Sequence, residues 1–595
     1  MLASASVGSS PTSGTIPPSA GQTSNVSPDQ HRAGHSGDGL LRRQPAVVLG
    51  LLAGALAASV VFLALPATLH AGNAREFAWP LLSILPTYRY PALGLAVACV
   101  LPTLLLPRRL ALTWAAGSSA LALYLWVYGT FVVYDFGLID GHTWRMQPRP
   151  AAMAVEATLA IAGLVAAFVV ARRSPGAVAV ALLVLGLGNV LSAVRAVQAD
   201  TRQPPPSTDT SALFRFSTSK NVLVVLLDSL QSDVFEEVVR EKPDLEGALD
   251  GFTLYVDTAG VAPSTYLSMP AIHSGLEYDR TSSLRAYSDE GVTRGSFLNA
   301  LSRNGYEAAL VNPHSGLCPE SVGICVTDTE VLGGGGAASR ARDAATLLDL
   351  ALLRVAPLAL KRSVYDDGRW RIAPLVQDSR LVHPVVRGLN LQRELAARLS
   401  AADQPPTVKF LHLFDTHLPM VLDARCAFTG ETVRWSRANY KVQVGCSLEA
   451  FQTVLGALRR AGVYDNTAIV LLGDHGTPGM VSTRVAPGGP GPVNGSVIGL
   501  ANPALAVKPI AGRGTFRLST EPLSVADVPA IVCESVGDCV GRRRAPGASR
   551  THNFFAWSES HLKRDRIPSI VGYEITGSLF DSRNWRRIDP APVLQ

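Results

Sequence analysis

The sequence predicts a two-part molecule: five membrane-crossing helices, then an α/β domain built on a mostly parallel sheet with helices on both faces. Three observations predict it. The long apolar stretches are confined to residues 46–198. An unbroken Val-rich run, Asn221–Leu227, reads as a strand buried on both faces. After it, strand-like and helical stretches alternate, the pattern of an open sheet covered by helices.

The chain has 595 residues, more than one compact domain holds. Charged residues are 17% and hydrophobic residues 47% of it, where a soluble protein carries roughly 25% charged. Mean hydropathy is +0.21. This excludes an intrinsically disordered chain and argues against a wholly soluble one. The net charge of +6, spread over this length, provides no concentrated basic face, so nucleic acid is not an expected partner.

Residues 1–45, rich in Ser, Gly, Pro and Thr, bury too little apolar surface to order and are expected to be a disordered tail. A secretory signal is not expected, because its basic region would be far shorter than this tail. Five apolar stretches follow, Ala46–Leu69, Tyr90–Leu106, Leu110–Tyr134, Ala151–Ala171 and Ala177–Val197. Most approach the roughly 20 residues a helix needs to span a bilayer. Arg32, Arg42 and Arg43, the pair Arg108–Arg109 and the pair Arg172–Arg173 share one side. The opposite loops hold Arg75, Arg89, Arg145 and Arg149. The tight Arg pairs favour a cytoplasmic N-terminus, and an odd number of spans then puts the α/β domain outside a cell membrane. Glu156 is the main ionisable residue inside a span. It lies near the span's start and is expected to snorkel to the interface.

The expected organisation is thus tail 1–45, membrane domain 46–198, linker 199–220, α/β domain 221–545 and a C-terminal appendage 546–595. Six of the seven cysteines lie in the last two parts. Their sequence-local pairing suggests disulfides Cys318–Cys325, Cys426–Cys446 and Cys533–Cys539, consistent with an oxidising compartment. No C-x-x-C or nearby His pair supports zinc fingers. Further strands are expected at 308–312, 407–414, 467–472, 496–500 and 504–508, with helices near 295–304, 341–355, 387–401 and 447–461.

Ligands of open α/β sheets bind at the carboxyl ends of strands. The first strand ends at Asp228, the strand 407–414 at Asp415-Thr416-His417, and 467–472 at Gly473-Asp474-His475-Gly476. Carboxylates and an imidazole at neighbouring strand ends suit one divalent cation, Zn²⁺ or Mn²⁺, with Mg²⁺ a further candidate. The flanking glycines are expected to allow a tight turn. Thr265, just before a short helical stretch, is a poor nucleophile until a metal or base activates it. Alone, each of these patterns is also what an ordinary turn or helix cap looks like.

Together they resemble the alkaline phosphatase/sulfatase superfamily, in its membrane-anchored branch of phosphoethanolamine transferases and lipoteichoic acid synthases. Val-Val-Leu-Leu-Asp228 resembles the first strand with its metal carboxylate. Thr265-x-x-Ser268-x-Pro270 resembles the nucleophile segment, Thr416-His417-Leu-Pro419 the stretch with a substrate-binding His, and Gly-Asp474-His475-Gly the second metal pair. The resemblance implies an alkaline-phosphatase-like fold, Thr265 as nucleophile and metal contact, Asp228, Asp474 and His475 as metal ligands, and His417 and Ser268 on the substrate. It implies transfer of a phospholipid head group, phosphoethanolamine- or phosphoglycerol-like, to an envelope glycan or lipid through a phospho-threonine. Two features depart from it: Asp228 where the phosphoethanolamine transferases carry Glu, and no His between Thr477 and Asn494. Sulfatases need Cys or Ser at the nucleophile and an Arg four residues on, where Met269 stands. Two alternatives remain from the sequence: a hydrolase of phosphodiesters or sulfate esters, and a non-catalytic membrane-anchored binding protein.

Overall fold

The computed structural model describes residues 44–134, 149–202, 209–313, 317–333, 336–376, 381, 383–485, 492–537, 551–556, 567 and 570–588. The tail to residue 43, linker residues 203–208 and Cys539 lie outside the described residues.

Five helices are long and apolar enough to cross a membrane: α1 Gln44–Gly72, α2 Leu81–Leu105, α3 Arg108–Phe131, α4 Pro150–Arg173 and α5 Pro175–Ala199. The second starts nine residues before the expected Tyr90, because the turn Leu85–Tyr88 continues the helix from Leu81. Small residues let the helices approach closely. A side chain at Gly54 would stand 3.0 Å from Ala96 of α2. The outer faces of α4 and α5 carry exposed Val155, Leu159, Ile161, Val184 and Leu187, as lipid-facing helices do.

The second part is an eight-stranded sheet. In chain order its strands are β1 Asn221–Leu227, β2 Thr253–Tyr255, β3 Glu307–Asn312, β4 Ile324–Thr327, β5 Thr407–Leu413, β6 Thr467–Leu472, β7 Leu505–Lys508 and β8 Arg517–Ser519. Their spatial order is β8-β2-β7-β6-β1-β5-β3-β4. The run from β6 to β4 is parallel, and β7 is antiparallel to both neighbours. This is the alkaline-phosphatase-like, mostly parallel sheet the sequence predicts. Strand β1 sits at the centre and splits its side chains between two cores. Leu223, Val225 and Leu227 face one layer of helices, while Val222, Val224 and Leu226 face the other. Burial on both faces explains why the run contains no polar residue between Asn221 and Asp228.

One expected strand is a helix. Gly495–Leu500 is helical because the Asn494 side chain accepts hydrogen bonds from the Ser496 and Val497 amides. That cap outweighs a short apolar run that fits either structure. The C-terminal strands Thr551–Ala556, Val571–Thr576 and Trp585–Ile588 form a separate antiparallel sheet. It packs on the domain through Phe554, Phe555 and Trp585. Disulfides join Cys318 to Cys325 and Cys426 to Cys446. Cys533 is also disulfide-bonded.

Between β4 and β5 the chain leaves the sheet. Helix α8, Ala337–Val355, lies against the ends of the spans, and the short helices α9, Leu358–Tyr365, and α10, Ala373–Val376, follow it. (The numbers α6 and α7 belong to Ser232–Glu241 and Thr265–Ser274, earlier in the chain.) Ala344 and Leu347 pack on Phe77, Ile84 and Tyr88, and Ala351 and Val355 join the core of the spans. The Tyr88 hydroxyl donates to Ala344 O at 2.8 Å, and the Trp79 amide donates to Asp343 at 3.0 Å. Glu156 is buried, not snorkelling. Its carboxylate accepts the Leu358 amide at 2.7 Å. It supplies from a neighbouring helix the cap that Pro357 cannot give α9.

Candidate metal and active site

The site lies where the sheet's central strands end. Asp228 follows β1 and is fully buried. Its Oδ2 accepts from the Thr265 hydroxyl at 3.0 Å and from His412 Nε2 at 3.1 Å, and its Oδ1 accepts from the Ser229 hydroxyl at 3.0 Å. Burial would raise this carboxyl. His417, the hydrogen bond from His412, and His475 outweigh that and hold it below the ordinary carboxylate range. Asp228 therefore stays charged, as a cation ligand must.

Asp474 and His475 follow β6. Asp474 Oδ1 accepts two main-chain amides, those of Ser229 and His475, both at 3.0 Å. Its Oδ2 is buried without a hydrogen bond, with His475 Nε2 3.3 Å away. His475 Nδ1 donates to Gly476 O at 2.8 Å, so Nε2 keeps its lone pair for the site. Asp228, Asp474 and His475 each offer a ligand atom within 4.8 Å of the others. It is the one such group among the described residues. Two carboxylates, an imidazole and an orphaned buried oxygen fit a divalent cation. The flanking glycines act by close approach. A Cβ at Gly473 would sit 2.5 Å from Leu230 O, and one at Gly476 would sit 2.1 Å from Gly499 O. Neither has positive φ, and the chain bends at Asp474–His475 between them.

Thr265 is the first residue of α7, whose cap is Ser264, with its hydroxyl accepting from the Tyr266 amide. The Ser264 hydroxyl and carbonyl take up the amides of Tyr266, Leu267 and Ser268, and the positive dipole end of α7 lies at Thr265. His417 follows β5. Its Nδ1 bonds the Leu418 carbonyl, and its Nε2 stands 3.9 Å from Asp228 Oδ1. It is 21% exposed, against 0% for Asp228, and faces the way in. Ser268 is different. It is buried, its hydroxyl donates to Ala262 O at 3.4 Å, and its expected substrate contact has no counterpart here.

Ser229 carries no local sequence signal. Its backbone is left-handed (φ 65°), rare for a residue with a side chain, and this turns its amide to Asp474 and its hydroxyl to Asp228. The Tyr440 hydroxyl at 2.6 Å and the Thr477 hydroxyl at 2.9 Å hold its carbonyl from behind. His412, buried within β5, supports the site through its hydrogen bond to Asp228. Behind the site, His273 donates or accepts with Ser296 at 2.8 Å, and burial pushes its pKa down to about 3.

A buried Asp/His cage thus stands at the carboxyl ends of a mostly parallel sheet, beside a Thr at the first position of a helix. Residues 220–491 match the family model described as Sulfatase. No curated protein matches the sequence. Similar solved structures include an alkaline phosphatase superfamily protein from Vibrio parahaemolyticus, at 12% identity over 63% of this chain and 83% of that one, with a TM-score of 0.37. The C-terminal periplasmic domain of EcEptC from Escherichia coli matches at 12% identity over 56% and 84%, TM-score 0.30. The lipoteichoic acid synthase LtaP from Listeria monocytogenes matches at 11% over 63% and 87%, TM-score 0.31.

Proposed function

We propose that this protein is a membrane-anchored, metal-dependent phosphoryl-group transferase that moves a phospholipid head group to a hydroxyl of a cell-envelope glycan or lipid. The observation that carries the reading is the Thr265 hydroxyl, 3.0 Å from Asp228 and at the N-terminus of α7, beside the Asp474–His475 pair. Asp228, Asp474, His475 and the Thr265 oxygen would hold a divalent cation, whose charge makes a threonine hydroxyl acidic enough to react.

Thr265 Oγ1 forms a bond to phosphorus, and the bond from phosphorus to the glycerol oxygen breaks. His417 takes the Thr265 proton and passes it to the leaving oxygen, so diacylglycerol departs neutral and His417 is again free to act as a base. In the second half an acceptor hydroxyl attacks the phospho-threonine and His417 takes its proton. The Thr265–phosphorus bond breaks and Thr265 regains a proton. The positive end of the α7 dipole would stabilise the phosphoryl oxygens. The domain's disulfides suit an oxidising compartment, so the domain is assigned to the non-cytoplasmic side.

The test is the purified full chain with head-group-labelled phospholipid in mixed micelles. A label retained on the peptide containing Thr265 is expected, and Thr265→Ala should lower transfer by on the order of 10³-fold or more. Undiminished transfer by a folded Thr265→Ala variant overturns the covalent step. Release of free head group without transfer identifies a hydrolase instead.

A further inference from the structure

The corner between α8 and α10 combines three properties of a segment immersed in lipid. The first is depth. Glu156, which holds the Leu358 amide, lies six residues inside α4, about 9 Å along the helix axis. The 24 residues of α4 span about 36 Å, roughly 6 Å more than the hydrocarbon. The α8–α9 junction therefore sits on the order of 6 Å below the hydrocarbon edge. Helix α3 agrees independently. Tyr124, whose hydroxyl donates to Val355 O at 3.2 Å, lies seven residues before the end at Phe131.

The second property is the handling of polar backbone. Lipid offers no hydrogen bonds, so backbone groups at this depth must be satisfied by protein. The structure does this with side chains from both parts of the molecule. Besides the Glu156 and Tyr124 contacts, Lys361 donates to the Leu353 and Arg354 carbonyls at the end of α8. Arg354 Nε donates to Gly129 O of α3 at 3.1 Å. Buried Asp349 accepts the amides of Arg371, Ile372 and Ala373, which fixes α10 to α8.

The third is the outward face. Leu352 is 37%, Leu360 55%, Leu375 80% and Val376 49% exposed, although the corner has its own core of Leu353, Ala356, Val364 and Tyr365. Exposed Arg362 and Arg371 flank them. Exposed large apolar side chains beside arginines, on short helices tied to membrane spans, are what an interfacial segment presents to acyl chains and phosphate groups.

We propose that residues 352–376 are a lipid-contacting corner of the α/β domain, with Leu352, Leu360, Leu375 and Val376 among the acyl chains of the leaflet on that domain's side. The corner continues the packed interface with the spans, and a bilayer is the occupant that both the depth and the chemistry select. Through Arg369, which donates to Gly430 O on the loop after Cys426, it is also tied to the rest of the α/β domain. The inference rests on the five helices crossing a bilayer and is independent of the transfer reaction.

The test is nitroxide labelling of the full chain in vesicles of phosphatidylethanolamine and phosphatidylglycerol. Cys99, the one free cysteine among the described residues, is first replaced by Ala. Labels go at Leu360→Cys, Leu375→Cys and, as control, Leu518→Cys. Leu518 is a 42% exposed leucine on the edge strand β8, away from the corner. All three side chains are exposed, so labelling disturbs no core. At 360 and 375 the accessibility ratio of oxygen to a water-soluble nickel complex should exceed that at 518 several-fold. A ratio equal to that at 518 places the corner in water and overturns the proposal. Exclusion of both reagents means that protein, such as a second copy of the chain, covers the face, and overturns it equally.

Discussion

Removing the Glu156 carboxylate should loosen the corner that joins the α/β domain to the spans. In Glu156→Leu the Leu358 amide keeps its burial and loses its acceptor. An orphaned buried N–H costs about 1–3 kcal/mol. Lys361, whose charge Glu156 offsets, adds to the cost because it remains buried. Taking about 2 kcal/mol, opening of the α8–α9 junction becomes about 30-fold more frequent. Glu156→Gln keeps an acceptor oxygen and loses only the extra strength of a charged bond, about 1 kcal/mol or 5-fold. The assay is amide hydrogen exchange by mass spectrometry on the full chain in lipid nanodiscs, following peptides across residues 352–365. Leu should exchange faster than Gln, and Gln faster than wild type, while peptides from β1 stay unchanged. Identical exchange in Glu156→Leu and wild type would show that the Leu358 amide does not depend on Glu156, and the cap argument would fall.

Two further outcomes follow from buried groups near the site. Asp415 is fully buried, and burial raises its pKa from 3.8 to about 6 against the pull of Ser447 and Gln392. Its native form holds a proton that the unfolded form releases, so stability falls as pH rises from about 4 to 6, by about 3 kcal/mol in all. Asp415→Asn should flatten that part of the profile, as followed by thermal unfolding of the full chain in detergent between pH 4 and 8; parallel profiles refute it. Removing the Cys426–Cys446 bridge, with a sequence separation of 20, by the double change to Ser should cost about 3 kcal/mol by loop-closure entropy. Denaturant unfolding checks this, and a loss below about 1 kcal/mol would mean that other contacts order the loop in the unfolded chain.

Much of the site could be read from the chain because its strands end abruptly. The runs Val222–Leu227 and Ala468–Leu472 are apolar throughout, so Asp228 and Asp474–His475 stand out as the first polar side chains past the sheet. Other features left no local trace. The left-handed turn at Ser229 depends on Tyr440, 211 residues away. The link between Glu156 and Leu358 spans 202 residues. Strands β2 and β8 are three residues each, too short for any period to register. Ser268 was carried over with its motif, and a motif marks which residues are neighbours in sequence without saying which way each side chain turns. Asn494 misled in the opposite sense. Its capping role marks a helix, whereas the apolar run after it fits a strand equally well.

The tethering of Asp474 has a consequence for how such a protein is matured. One oxygen of the carboxylate is gripped by the main chain at Ser229 and His475, and the other is turned to the site. Main-chain amides therefore aim this carboxylate, whereas a zinc finger's ligands are held together by the ion itself. Folding and metal supply can then be uncoupled: the polypeptide can be inserted and assembled first, and loaded afterwards from whatever ions its compartment offers.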